Sequence, residues 1–266
     1  IAIAASDNAV AKARWLAALA SGEAVATLAF GGAWAPETWD VEFAEGRATG
    51  EVRFVEAASS AHLFLVGLKG GGLALVANGD GVERTPLRSS DHTRRLSTVT
   101  LSGAPATPLI APGDARAQRI FDAALVLVAA DALGAATHCV DLSVQYAKDR
   151  EQFGQPIGRF QALKHQLATM ALDMESARAL VWYAAYAWDR ALPDASRTAA
   201  LAKAHVCDRF VQTARDAIAA HGGIGYTWDY GLHLWFRRSL FDSAFLGGPA
   251  VHRARAAALA GWNTPA

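Results

Sequence analysis

Apolar and polar residues change their rhythm along this chain near Pro112. From Phe160 to Arg190, apolar or small residues recur at Leu163, Leu167, Met170, Met174, Ala177, Val181, Ala184 and Trp188. Steps of four and three place them on one seam of an α-helix, while Lys164, Asp173, Glu175 and Arg178 fall elsewhere. The stretch from Ala115 to Lys148 is almost wholly helix-compatible. "ALPDAS" (Ala191 to Ser196) breaks the pattern, and Ser196 is placed to cap a further helix running to about Ala220. "HGGIGYTWDYG" interrupts again, and a last helical pattern starts near Leu232. Long helices joined by short corners predict a bundle.

Before Pro112 the segments are short and punctuated by glycine. "GEVRFV", "HLFLVGL" and "GLALVAN" read as strands, separated by "KGGG" and by the turn signal "NGDG". They predict a small antiparallel sheet or barrel from about Ala24 to Ile110. "NAVAKARWLAALASGE" reads as a helix with Val10, Ala13, Leu16 and Ala20 on its apolar side and Gly22 after its end.

Composition narrows the function. The 266 residues carry 25 basic and 25 acidic side chains, so there is no basic excess and nucleic acid is not an expected partner. Cys139 and Cys207 are far apart with no CxxC spacing, which points to buried thiols in a reducing compartment rather than to disulfides or zinc. The eight histidines show no metal-ligand spacing, so no metal site is expected. The longest apolar run, Phe121 to Ala136, contains Asp122 and Asp131 and reads as a buried helix, not a bilayer span. No signal peptide is visible, and a cytoplasmic location is expected. The chain begins at Ile1 rather than Met, and the expectation is that part of its first domain lies outside it.

Two stretches can carry chemistry. In "DREQFGQPIGRFQ", Arg150, Gln152 and Gln161 offer planar donors around one bend, with Phe153 beside them. Arginine pairs with phosphate through parallel hydrogen bonds, and an aromatic can cover a flat ring. The plain alternative is a cation at a helix end, with Phe153 stapling the corner. In "AHGGIGYTW", Gly222 or Gly223 either ends a helix or admits a ligand close to the backbone. An esterase reading of His-Gly-Gly fails because no GxSxG elbow exists.

"YAKDREQFGQPIGRFQALKHQLATMALDMESAR" and "DAIAAHGGIGYTWDYGLHLWFRRS" resemble the C-terminal helical domain of the acyl-CoA dehydrogenases, and "LAALASGEAVATLAF" resembles their passage into the middle β-domain. The resemblance implies an α+β fold with a short N-terminal helical remnant (1–23), a middle antiparallel β-domain (24–112) and a C-terminal four-helix bundle (113–266). It implies FAD as cofactor and an acyl-CoA substrate. Arg150, Gln152 and Phe153 would hold the diphosphate of a neighbouring subunit's FAD, with Gln161 in the helix that follows. His221, Gly222, Gly223 and Gly225 would lie against its ADP half.

The departures from the family are as informative. Its glutamate base, in a "YEGT" stretch, is replaced in "FLGG" by Leu246, and the alternative base position holds Ala124. Leucine and alanine accept no proton. Asp122 matches an aspartate near the CoA moiety, and Asp131 is a weak substitute for the base. "FGGAWAPET" and "RFVEAAS" stand where the family has its flavin-ring contacts "TEPGAGSD" and "WIT", and Ala219 replaces a glutamine. This pattern resembles the non-catalytic subunit of heteromeric α2β2 acyl-CoA dehydrogenases associated with steroid side-chain thioesters. A homologous catalytic chain would then be the partner, with an electron-transferring flavoprotein as electron acceptor. The alternatives are an inactive homomeric scaffold and an independent flavoenzyme using another base, such as Asp131.

Overall fold

The computed structural model describes residues 1–261. The chain forms two compact units, one spanning Ile1–Phe121 and the other starting at Asp122. It is a mixed α+β architecture, with a sheet in the first unit and helices in the second.

The first unit opens with helices α1 (Ala2–Ala5) and α2 (Ala9–Ser21). Asn8 caps α2, its side-chain oxygen accepting the Ala11 N–H at 2.9 Å. The expected face of α2 is not the buried one. Ala11 is buried and Trp15 half-buried, while Val10, Ala13, Leu16 and Ala20 face outward. A run of alanines offers little contrast between faces, so packing rather than pattern selects the side.

Seven strands follow: β1 (Ala26–Ala29), β2 (Glu42–Ala44), β3 (Arg47–Glu56), β4 (Leu63–Leu68), β5 (Gly72–Ala77), β6 (Val82–Pro86) and β7 (Leu96–Ile110). Their order is β1-β4-β5-β7-β3-β2, with β6 also on β7. All three strands expected from the sequence are present. Pairing is antiparallel except that β1 runs parallel to β4, which departs from the expected all-antiparallel sheet. "KGGG" joins paired neighbours, with Leu68 opposite Gly72. "NGDG" does not make a hairpin. It carries the chain from β5, on the Ala106–Ile110 end of β7, to β6, on the Ser97–Leu101 end. Strand β4 and nearly all of β5 are buried, as their unbroken apolar runs require.

Helix α3 (Ala115–Asp149) runs from the end of the first unit into the second. The second unit continues with the hairpin strands β8 (Glu151–Gln152) and β9 (Gln155–Pro156), then α4 (Gln161–Asp189), α5 (Ala195–His221), α6 (Leu232–Ala244) and α7 (Pro249–Leu259). The seam read on α4 is the buried one: Leu167, Met170, Met174, Ala177, Val181 and Ala184 are all core residues. Helix α5 packs against α4, α6 and α7. By length and apolar composition α3 could cross a membrane. Its Ala129, Ala132, Ala136 and Cys139 are instead fully enclosed in the helical core. Both thiols are free and buried, and burial pushes each up to about 12. Ser196 does not cap α5. It lies in the first turn and donates to Asp122 Oδ2 at 2.6 Å, while Asp194 takes the capping position.

Candidate functional site

Helix α3 ends in a sharp corner. The Arg150 N–H still donates to the Tyr146 carbonyl at 2.8 Å, and the Ile157 N–H returns to the Arg150 carbonyl at 2.8 Å. Between them the β8–β9 hairpin turns on Phe153 and Gly154, at φ 54° and 75°. Two successive left-handed residues define the tight hairpin turn that suits Asn-Gly or Gly-Gly, so a phenylalanine there is strained by about 1–2 kcal/mol. The Phe153 ring is 91% exposed. It meets Phe160 edge-on at 6.0 Å and staples no core. Burial of the ring therefore does not offset this strain. Arg150, Gln152 and Gln161 are all exposed on this corner. Gln152 Nε2 donates to the Glu151 carbonyl at 2.8 Å. The Arg150 guanidinium makes no hydrogen bond or ion pair among the described residues.

The other predicted element lies where α5 ends. His221 is buried; its Nδ1 is 2.7 Å from the Ala217 carbonyl and its Nε2 is 3.2 Å from the Tyr230 hydroxyl. The carbonyl requires a proton on Nδ1; in the neutral ring, which burial favours, Nε2 accepts from the Tyr230 hydroxyl. Burial lowers its basicity, and the Ala217 contact offsets this only in part. Gly222 follows at φ 63°, and Gly222–Tyr226 form a short 3-10 turn. A methyl group at Gly222 or Gly223 would meet open space. At Gly225 it would come within 2.7 Å of the Ile218 carbonyl. Gly225 therefore lets the turn pack, while Gly222 and Gly223 leave their backbone approachable.

The structure brings these two elements together. Tyr146, one turn before Arg150, stacks on His221 with ring centroids 4.3 Å apart, and Tyr230 closes on both rings. Tyr146 and Tyr230 escaped the sequence reading. Tyr146 could have been suspected from its position four residues before Arg150 on the same helix face, but its partner was not readable.

The turn between α6 and α7 carries Leu246, which is fully buried at φ 57°. Lys203, also fully buried, donates to the Ser243 and Gly247 carbonyls at 3.1 and 3.0 Å. His252 Nε2 donates to the Leu246 carbonyl at 2.8 Å. Burial lowers the pKa of Lys203 and brings His252 to about 4. Ala124 is likewise buried. Both oxygens of Asp131 are taken by Arg238. Asp122 is buried, accepting from Ser196 and, at 2.7 Å, from Arg255 Nη2, so it knits α3, α5 and α7 together. Neither aspartate is poised as a base.

In the first unit, "FGGAWAPET" and "RFVEAAS" meet at one cavity of about 520 Å³, lined among others by Phe30, Trp34, Trp39, Arg53 and Phe54. Phe54 sits in a bulge of β3 at φ 61° and is partly exposed.

Residues 113–260 match the family described as "Acyl-CoA dehydrogenase, C-terminal domain". The chain belongs to the acyl-CoA dehydrogenase family. It is 40% identical over 164 residues to acyl-CoA dehydrogenase IpdE2 of Mycolicibacterium smegmatis, covering 62% of this chain and 49% of that protein. It is 36% identical over 247 residues to acyl-CoA dehydrogenase FadE34 of Mycobacterium tuberculosis, covering 91% of this chain and 33% of that one. The chain thus spans half or less of the length of these relatives. Among solved structures, a variant of the steroid ACAD Tcur3481-Tcur3483 superposes with a TM-score of 0.87 at 28% identity, over 98% of this chain and 73% of that chain. Butyryl-CoA dehydrogenase from Megasphaera elsdenii shares the fold, with a TM-score of 0.85 at 21% identity over 97% and 73% of the two chains. Within an acyl-CoA dehydrogenase framework, then, position 246 is a buried leucine and the helix-end corner is exposed.

Proposed function

We propose that this chain is a subunit of an FAD-dependent acyl-CoA dehydrogenase that binds the cofactor's diphosphate and ADP half while a homologous partner chain supplies the glutamate base. The observation that carries this reading is Arg150, whose side chain has no partner among the described residues, beside the strained and exposed Phe153, in a chain whose position 246 is a buried leucine. The site residues fit an FAD diphosphate: a guanidinium with its donors unspent, two exposed amides, and a glycine pair whose backbone is open.

FAD, when bound, supplies the hydride acceptor for α,β-desaturation of an acyl-CoA thioester. Arg150 neutralises the diphosphate, and Gln152 and Gln161 add amide contacts. Phe153 covers the ligand, and Gly222 and Gly223 allow close backbone approach. His221 holds the glycine loop through its neutral ring and moves no proton; Gly225 supports the same loop. Leu246 and Ala124 leave α-proton removal to the partner. An α2β2 assembly, a cytoplasmic location, the division at 23/24 and 112/113, and electron delivery to an electron-transferring flavoprotein belong to the same reading. A steroid side-chain thioester as substrate draws support from the likeness to the steroid ACAD.

A second reading, an inactive homomeric scaffold of the same fold, is favoured by the aromatic lining of the first unit's cavity in place of the family's flavin-ring contacts. Co-expression with a homologous chain that carries the glutamate, followed by a flavin-to-subunit count, separates the two. One FAD for each pair of unlike chains supports the heteromeric reading. A flavin-free homomer that ignores the partner, or full activity from this chain alone, overturns it.

A further inference from the structure

The first unit holds a second cavity, of about 440 Å³, under the loop from Leu87 to Leu96 that joins β6 to β7. The loop is built to hold one shape. Leu87 N–H donates to the Leu96 carbonyl at 2.9 Å, closing its base. Inside it, buried Asp91 accepts from the Thr93 N–H at 2.9 Å and the Thr93 hydroxyl at 2.6 Å, while Ser89 Oγ accepts the Asp91 N–H at 3.1 Å. Arg94 is largely enclosed, bonded to Glu56 at 2.8 Å and 3.6 Å from Asp91. Glu56 and Asp91 therefore both pair with Arg94, whose single positive charge offsets one of their two negative charges.

Other cations at this end are not balanced in that way. Arg95 lines the cavity, and Arg88 starts the same loop. Both are exposed, and neither side chain makes an ion pair or hydrogen bond among the described residues. Arg84 donates to the Ala58 and Ser59 carbonyls at the rim. Asp91, His92, Arg94, Ser59, Ser89 and Ser97 make up the rest of the polar lining. One guanidinium without a partner among the described residues in the lining, Arg95, and a second on the same loop, Arg88, outnumber the one carboxylate charge left over beside Arg94, and this matches a group with several acceptor oxygens and more than one negative charge. A carboxylate would leave much of this donor set unused.

We propose that this cavity binds a phosphomonoester, with Arg95 as the principal contact and Arg88 as flanking charge. The site is distinct from the Arg150 corner and independent of the cofactor reading.

Calorimetric titration of the full chain with adenosine 3′,5′-bisphosphate and with inorganic phosphate tests it. The nucleotide is expected to lose about tenfold or more in affinity in an R88Q/R95Q double variant whose melting temperature is unchanged, as loss of charge-assisted bonds implies. Affinity is also expected to fall between about 50 mM and 300 mM salt, because exposed charges are screened. Inorganic phosphate binding more weakly than the nucleotide supports the esterified group; binding as tight as the nucleotide's overturns the phosphomonoester in favour of bare phosphate. Unchanged affinity in R88Q/R95Q overturns the proposal, as does a loss seen only with Arg150→Gln.

Discussion

Tyr146 lies face to face with His221, their rings 4.3 Å apart and inclined by 24°. This contact locks the end of α3 to the end of α5, so the corner bearing Arg150 and the loop bearing Gly222 share one support. Replacing Tyr146 with alanine is expected to lower stability by about 1–3 kcal/mol in urea unfolding and to loosen flavin in the assembled complex, whereas Tyr146→Phe, which keeps the ring, should change neither greatly.

Among the described residues, the Arg150 side chain has no partner to lose. Arg150→Gln should therefore leave the chain's own melting temperature within about a degree or two of the parent. Flavin retention by the complex should fall by about tenfold or more, read by fluorescence of released flavin. Retention at the parent level would refute the assignment of the diphosphate to this corner.

Phe153 separates folding from assembly. Phe153→Gly relieves a left-handed side-chain residue and should stabilise the isolated chain by about 1 kcal/mol. The same change removes an exposed ring and should weaken partner association, measured by analytical ultracentrifugation. A variant that is both more stable and equally well assembled would show the ring to be idle.

His252 makes stability depend on acid. Its pKa falls from an ordinary 6.5 to about 4 in the fold because burial opposes its charged form. The unfolded chain thus binds the proton more readily. The stabilisation is complete above pH 6.5 and is lost as pH drops through that value towards 4. The shift corresponds to about 3 kcal/mol. His252→Gln keeps a donor for the Leu246 carbonyl and removes the titration. Its unfolding free energy should fall less steeply than the parent's over that pH window.

Lys203 holds the same turn from α5. Lys203→Met leaves the buried Ser243 and Gly247 carbonyls without their donor and should cost about 2–4 kcal/mol in chemical unfolding. A cost under about 0.5 kcal/mol would mean that the turn re-forms its bonds elsewhere.

Local pattern alone determined a good deal: the helical seam of α4, the strands β3, β4 and β5, and a corner and glycine loop bearing the cofactor-binding candidates. Each is written in residue spacing or in turn chemistry, which act over a few positions. That positions 246 and 124 hold a leucine and an alanine, which accept no proton, is likewise read directly, while their standing as base positions is what the family resemblance implies. Tertiary structure decided the rest. The outward face of α2, the parallel pairing of β1 with β4, the bond from Ser196 to Asp122, the capture of Asp131 by Arg238 and the stack of Tyr146 on His221 each join segments distant in sequence. Such pairings are chosen by which surfaces can be buried together, and that choice leaves no periodic trace along the chain.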